Sequence, residues 1–238
     1  MAELVTAEAP ILPWPRIMRQ HWANLSFLHW AVEPDSIAHL FPVGTEPDTF
    51  EGRSFVGVVP FQMRYFGSFL ETNVRLYSVD RTGRRGVVFL SLDTDRLDIV
   101  AGGRAVFGVP YRWARMDYCE HAESRVYMSA LRWPGVSAST RIEVRAGEPM
   151  VAGPLENFLT ARWGAHVVRG HRSWYVPNEH PVWQLRRAEL IDFTEQGLFA
   201  SVGLGDLAAR QPDHVVFSDG VPARFGLPVR ATTPRASR

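Results

Sequence analysis

From Leu25 to Ser218 the chain breaks repeatedly into short apolar or alternating stretches, separated by Gly, Pro, Asp and Asn. This rhythm constrains the fold more than any other feature. Side chains alternate across a strand, so a sheet with one buried face needs a period of two. Leu25–Val32 reads as a buried strand, and Ser54–Val59 with Phe61–Tyr65 as another, interrupted at Pro60 by an edge or a bulge. Glu71–Ser78 and Val87–Leu92 form a hairpin about the turn Asp80-Arg81-Thr82-Gly83. Tyr111–Cys119, Val126–Trp133, Thr140–Ala146, Ala165–Arg169, Ser173–Val176, Gln184–Phe193 and His214–Ser218 complete the expected strands.

Helical spacing is rarer. Pro34 and Asp35 open a short helix that Pro42 stops. A longer one is predicted over Thr94–Phe107, capped by Asp93 or Thr94 and closed by Gly108. A second runs over Leu155–Trp163, with Gly153 and Pro154 before it. The expectation is a mainly-β (α+β) fold, a barrel or curled sheet with two inserted helices. It occupies residues 16–226, between a flexible leader at 1–15 and a disordered tail at 227–238.

Composition narrows the chemistry. Hydrophobic residues at 46% suffice for a sizeable core, and a net charge of +1 gives no electrostatic case for nucleic acid or an anionic membrane. No apolar run reaches membrane-spanning length and residues 1–15 lack a signal-peptide pattern, so a cytoplasmic location is expected. Cys119 stands alone and the eight histidines are scattered, so neither a disulfide nor a metal site is expected. All 26 basic residues are arginine. Without lysine there is no side-chain amine for a Schiff base and none for a phosphate-binding loop.

The stretch Glu71-Thr72-Asn73-Val74-Arg75-Leu76-Tyr77 carries the sharpest functional signal. On a strand, Glu71, Asn73, Arg75 and Tyr77 share one face, an acid, an amide, a guanidinium and a phenol in a row. Glu71 and Arg75 would lie about 13 Å apart at their Cα atoms, from a rise of about 3.3 Å per residue. Facing water, the row is an ordinary polar strand face; facing the inside of a barrel, it is either a polar site or a structural plug. In a site, Arg75 would clamp an anion and Glu71 would move a proton. His29, beside Trp30, reads first as a satisfied core or rim residue and second as a proton shuttle.

Several segments, taken in order, resemble a known family: Met18-Arg19-Gln20-His21-Trp22, Phe27-Leu28-His29-Trp30, Phe55–Phe61, Glu71–Tyr77, Phe107-Gly108-Val109-Pro110-Tyr111-Arg112 and Pro181-Val182-Trp183-Gln184-Leu185. Together they resemble the YqjF-like family of uncharacterised bacterial proteins, which is similar to the acetoacetate decarboxylase-like superfamily. The resemblance spans roughly Arg16 to Phe217 and implies a cone-shaped β-barrel around a small-molecule cavity. It also implies a Schiff-base lysine beside a Gly–aromatic–Pro turn. Here the stretch Ala105-Val106-Phe107-Gly108-Val109-Pro110 has valine and alanine where lysine is expected, so Schiff-base decarboxylation is excluded.

The resemblance further places Arg19 near the cavity and the junction after the main helix at its wall. Tyr111, Trp113 and Arg115, which share a strand face, are therefore expected ligand contacts, with arginine-on-tryptophan packing as the structural alternative. The expected ligand set is Arg19, His29, Asn73, Tyr77, Tyr111, Trp113 and Arg115 around Glu71 and Arg75. The expected function is binding of a small oxo-acid-like anion, with cofactor-independent lyase, isomerase or hydratase chemistry. The alternative is a non-catalytic ligand carrier, or a scaffold with a plugged barrel. Homo-oligomerisation is left open.

Overall fold

The strand that carries Glu71–Tyr77 is longer than its alternating centre, and it is buried on both faces. The computed structural model describes residues 5–231. In chain order these form β1 (Arg16–Val32), α1 (Pro34–Ile37), β2 (Thr45–Pro47), β3 (Ser54–Arg64), β4 (Ser68–Asp80), β5 (Arg85–Thr94), α2 (Leu97–Gly102), β6 (Tyr111–His121), β7 (Ser124–Leu131), β8 (Ser139–Pro149), α3 (Pro154–Thr160), β9 (Gly164–Arg169), β10 (Arg172–Glu179), β11 (Leu185–Gln196), β12 (His214–Gly226) and β13 (Val229–Arg230).

All thirteen strands join one sheet. Its pairings close twice. One ring-like closure runs β4–β5–β9–β10–β12–β1–β3, and the other runs β4–β5–β6–β7–β8–β11–β12–β1–β3. The strands β12, β1, β3, β4 and β5 are common to both. The expected mainly-β closure is therefore present, but as a shared wall with an interior on each side rather than one simple barrel.

That wall explains why β3 and β4 read as continuous buried runs rather than clean alternations. Even-numbered residues Leu28, Trp30, Val56, Val58, Val74 and Leu76 pack with Tyr127, Ile142 and Val144 into a hydrophobic core on the larger ring's side. Odd-numbered Val59, Phe61, Phe69, Glu71, Asn73 and Arg75 face the smaller ring, where a cavity remains.

Two bulges tune this partition. Ala23 pairs with Gln62 but Leu28 with Val58, so β1 carries one extra residue, and Asn24 there adopts φ 50°. Even-numbered Trp22 and odd-numbered Leu25 and Phe27 consequently all reach the cavity. On β5, Val74 pairs with Ser91 and Arg75 with Phe89, which lets Phe89 and Leu92 both face it. Pro60 is in a central strand, not an edge. Its missing N–H coincides with the gap in the β1–β3 ladder, which was the bulge alternative.

Element ends differ from the sequence expectation where tertiary pairing extends them. Thr94 pairs with Glu71 and Trp113 as the end of β5, so α2 starts at Leu97 without a side-chain cap and continues as a wider turn over Gly103–Phe107. β1 begins at Arg16 and β12 runs to Gly226 because the two pair along their lengths. Of the expected leader, residues 1–4 lie outside the described residues, while Leu12 is buried and the Thr6 carbonyl accepts a 3.3 Å bond from Trp163 Nε1. Of the expected tail, Val229 and Arg230 pair with β10, and residues 232–238 lie outside the described residues.

Candidate functional site

The smaller ring encloses a cavity of about 620 Å³. β4 sets its polar column. Phe69, Glu71, Asn73 and Arg75 descend along one face, as a period of two requires. Tyr77 continues the column but lies below the floor. It is fully buried against Phe158 and His29, and its hydroxyl accepts a 3.2 Å bond from Arg75 Nε.

Glu71 is buried, and the Tyr111 hydroxyl donates to its Oε2 at 2.7 Å. Burial pushes its carboxyl up to about 7, although the bonds from Tyr111 and Asn73 favour the carboxylate. Burial and the adjacent carboxylate push the Tyr111 phenol well above its usual range, so it stays a donor. Among the described residues, Asn73 Oδ1 has no hydrogen-bond partner.

Arg75 is held by bonds to Tyr77 and to the Leu159 carbonyl (3.3 Å), and its guanidinium carbon lies 5.4 Å from the Phe27 ring centre. The backbone of Gly57 leaves room for it: a Cβ there would meet the Tyr77 hydroxyl at 3.0 Å and Arg75 Cγ at 3.2 Å. Among the described residues no carboxylate comes within ion-pair distance of Arg75.

Two further polar residues that line the cavity, Arg162 and His180, were not singled out by the sequence pattern. Arg162, just after α3, is fully buried; its Nη1 donates to Asp48 Oδ2 at 2.5 Å and its Nε to the Phe158 carbonyl. Among the described residues its Nη2 has no hydrogen-bond partner, and burial lowers its pKa. Asp48 also pairs with Arg85 at 2.6 Å, so one carboxylate faces two guanidinium groups. His180, after β10, packs among Trp22, Trp163 and Trp183. Its Nδ1 lies 2.8 Å from the Pro181 carbonyl, so that nitrogen carries the proton, and burial pulls its pKa down to about 4. The Pro181–Leu185 segment was a signal for His180 only through the family resemblance. For Arg162 the sequence held none.

The remaining expected contacts are elsewhere. Arg19 is exposed on β1, opposite Arg224. His29 is fully buried behind the floor. Its Nδ1 lies 3.1 Å from His214 Nδ1, and burial holds its pKa well below the ordinary value. Trp113 is half-buried beneath Arg132, the arginine-on-tryptophan alternative in kind. Arg115 is exposed and 3.7 Å from Asp117. Only Tyr111 of that row reaches the cavity, because β6 pairs with β5 for three residues and then follows β7 away. Arg112, on the opposite face, makes a buried two-pronged ion pair with Asp93 at 2.6 and 3.0 Å.

Among the described residues no cluster of three His, Cys, Asp or Glu side chains is placed to hold a metal ion, and no helix is long and apolar enough to cross a membrane.

A doubly closed sheet around a largely apolar cavity with a few convergent polar groups defines an acetoacetate decarboxylase-like fold. Solved structures share it. An acetoacetate decarboxylase-like enzyme from Sphingomonas wittichii RW1 superposes with a TM-score of 0.62 at 13% identity, covering 90% of this chain and 92% of that one. The enduracididine biosynthesis enzyme MppR complexed with pyruvate gives 0.59 at 15% identity, with 92% and 91% covered. Acetoacetate decarboxylase from Legionella pneumophila gives 0.57 at 12%, with 95% and 94% covered. More specifically, the chain belongs to the YqjF-like DUF2071 family of uncharacterized conserved proteins, whose model matches residues 19–222. Uncharacterized protein YqjF of Bacillus subtilis (strain 168) is 30% identical over 186 residues, 73% of this chain and 76% of that protein.

Proposed function

We propose that the cavity binds a small oxo acid and that Glu71 moves a proton on it. The observation that carries this reading is the pairing, in one cavity, of a guanidinium with no carboxylate partner among the described residues and a carboxyl that burial pushes up to about 7. Arg75 offers charge-assisted hydrogen bonds to a carboxylate, and Arg162 adds positive potential beside it. Glu71, about half ionised near pH 7, is suited to take and return a proton at the carbon next to the oxo group. Tyr111 and Asn73 hold the carboxyl in place, and Tyr111 keeps a donor hydrogen at its oxygen. This is lyase, isomerase or hydratase chemistry without a covalent intermediate on a lysine, which the chain lacks. The neighbour complexed with pyruvate supports the ligand class by analogy of fold alone. A plugged scaffold is disfavoured because a cavity of about 620 Å³ remains.

Calorimetric titration with pyruvate and acetoacetate tests binding, with Arg75→Met expected to weaken it tenfold or more. Loss of the pyruvate methyl proton signal in deuterium oxide, followed by NMR, tests proton transfer, and Glu71→Gln should abolish it. If no oxo acid binds the wild-type protein, the reading falls.

A further inference from the structure

The cavity is graded along its axis. Its closed end lies at Arg75: the next residue of that column, Tyr77, is fully buried, and Phe27 lies under the guanidinium. Its mouth is marked by lining residues that are also open to solvent: the apolar Phe66 (81% exposed), Val106 (52%) and Ile17 (42%), and Asp98, whose carboxylate is held by Arg96. Register gives the same direction independently. Arg75 pairs with Gly57, Asn73 with Val59, Glu71 with Phe61 and Phe69 with Met63, so the step toward the mouth beyond Glu71 is apolar on both strands. Ile99 of α2 closes the same upper region.

A three-carbon acid on Arg75 would use only the floor of this volume. Cavities of several hundred Å³ enclose ligands of many more atoms. Exposed apolar side chains grouped at one opening are also costly to leave bare, and such patches mark binding sites. We infer that the ligand is an oxo acid with a large apolar tail, aryl or medium-chain alkyl. Its carboxylate sits on Arg75 and its tail passes Glu71 to the apolar mouth. This rests on the reading of Arg75 as the anion site.

The test is calorimetric titration of a 2-oxo acid series, from pyruvate through 2-oxohexanoate and 2-oxodecanoate, with phenylpyruvate as the aryl member. Each added methylene should tighten Kd about fourfold, the equivalent of about 0.8 kcal/mol, until the chain reaches the mouth. Ile99→Trp, which fills the upper cavity, should weaken the long acids tenfold or more and leave pyruvate unchanged. Val106→Asp, on an exposed rim position that does not threaten folding, should act in the same direction. A flat series, with pyruvate as tight as the long acids, overturns the tail and leaves the anion reading intact. Absence of binding by every member overturns the anion reading and this inference with it. Long acids that bind wild type and Arg75→Met alike mean an apolar pocket without an acid end, which also overturns both.

Discussion

The Tyr111 hydroxyl lies 2.7 Å from Glu71 Oε2, joining the residue that follows the Gly108-Val109-Pro110 turn to the middle of β4. The bond gives a buried carboxyl a fixed donor. It also brings two residues far apart in sequence into contact at the cavity wall.

The titration of Glu71 has a consequence for stability. Its folded-state pKa, about 7, lies above the ordinary value of 4.5 because burial disfavours the carboxylate. Between those values the folded chain binds more protons than the unfolded one. Its contribution is therefore complete below pH 4.5 and is lost as pH rises through 7, about 3 kcal/mol in all. Urea denaturation of Glu71→Gln should show a gain of about that size relative to wild type between pH 4.5 and pH 8. Parallel pH profiles for the two proteins would refute the assignment.

Removing the bond while keeping the ring should move the titration further. Tyr111→Phe deletes a donor that favours the carboxylate, so the Glu71 pKa should rise above its wild-type value. Carboxyl-carbon NMR of Glu71 reads this directly. A fall would mean that the phenol does not donate to this oxygen.

Asp48 lies between Arg162 and Arg85, at 2.5 and 2.6 Å. Asp48→Asn would leave two guanidinium groups without their carboxylate, one of them fully buried, and should destabilise the fold by about 3–5 kcal/mol. Arg162→Met should cost clearly less, because Asp48 keeps Arg85. Chemical denaturation ranks the two variants, and equal losses would contradict the shared-carboxylate geometry.

Gly57 permits the close approach of Arg75 and Tyr77 to the β3 backbone. Gly57→Ala puts a methyl group against both side chains. It should cost about 1–3 kcal/mol and displace the guanidinium, weakening oxo-acid affinity more than an alanine at the exposed Gly135 would. Comparing calorimetric affinities for the two variants decides it.

His166 and His180 are both pulled down to about 4 by burial. The folded chain keeps them neutral while the unfolded chain protonates near 6.5, so their stabilising contribution is lost as pH falls from 6.5 toward 4. Each contributes about 3 kcal/mol over that window. Ring-proton NMR should find both rings neutral at pH 5.5, and a midpoint near 6.5 for either would show that it is solvated.

Much of the site was legible because a strand's period is a local property. Alternation alone put Glu71, Asn73 and Arg75 on one face, and all three line the cavity. The same rule overreached at Tyr77, which shares the face but lies beneath the floor, and at Trp113 and Arg115, where β6 follows β7 along the larger ring and away from the cavity. Arg162 lies just beyond α3, inside the helix that the sequence predicts over Leu155–Trp163, and His180 lies just beyond β10; no period marks either position as lining a cavity. The bulges at Asn24 and Leu90 were equally hidden, since an extra residue is defined only against its partner strand.

By itself, then, the sequence determined a mainly-β chain, a polar row on β4 and the absence of any lysine amine. The tertiary structure decided which face of that row is enclosed. Enclosure depends on pairings between distant segments, such as Val87 with Ala165 and Asn178 with Phe225, which close the smaller ring. The same closure carries Arg162 and His180 to the cavity and removes Glu71 from water. Desolvation, which raises the Glu71 carboxyl toward neutrality, is a property of that assembled interior and is absent from the strand alone.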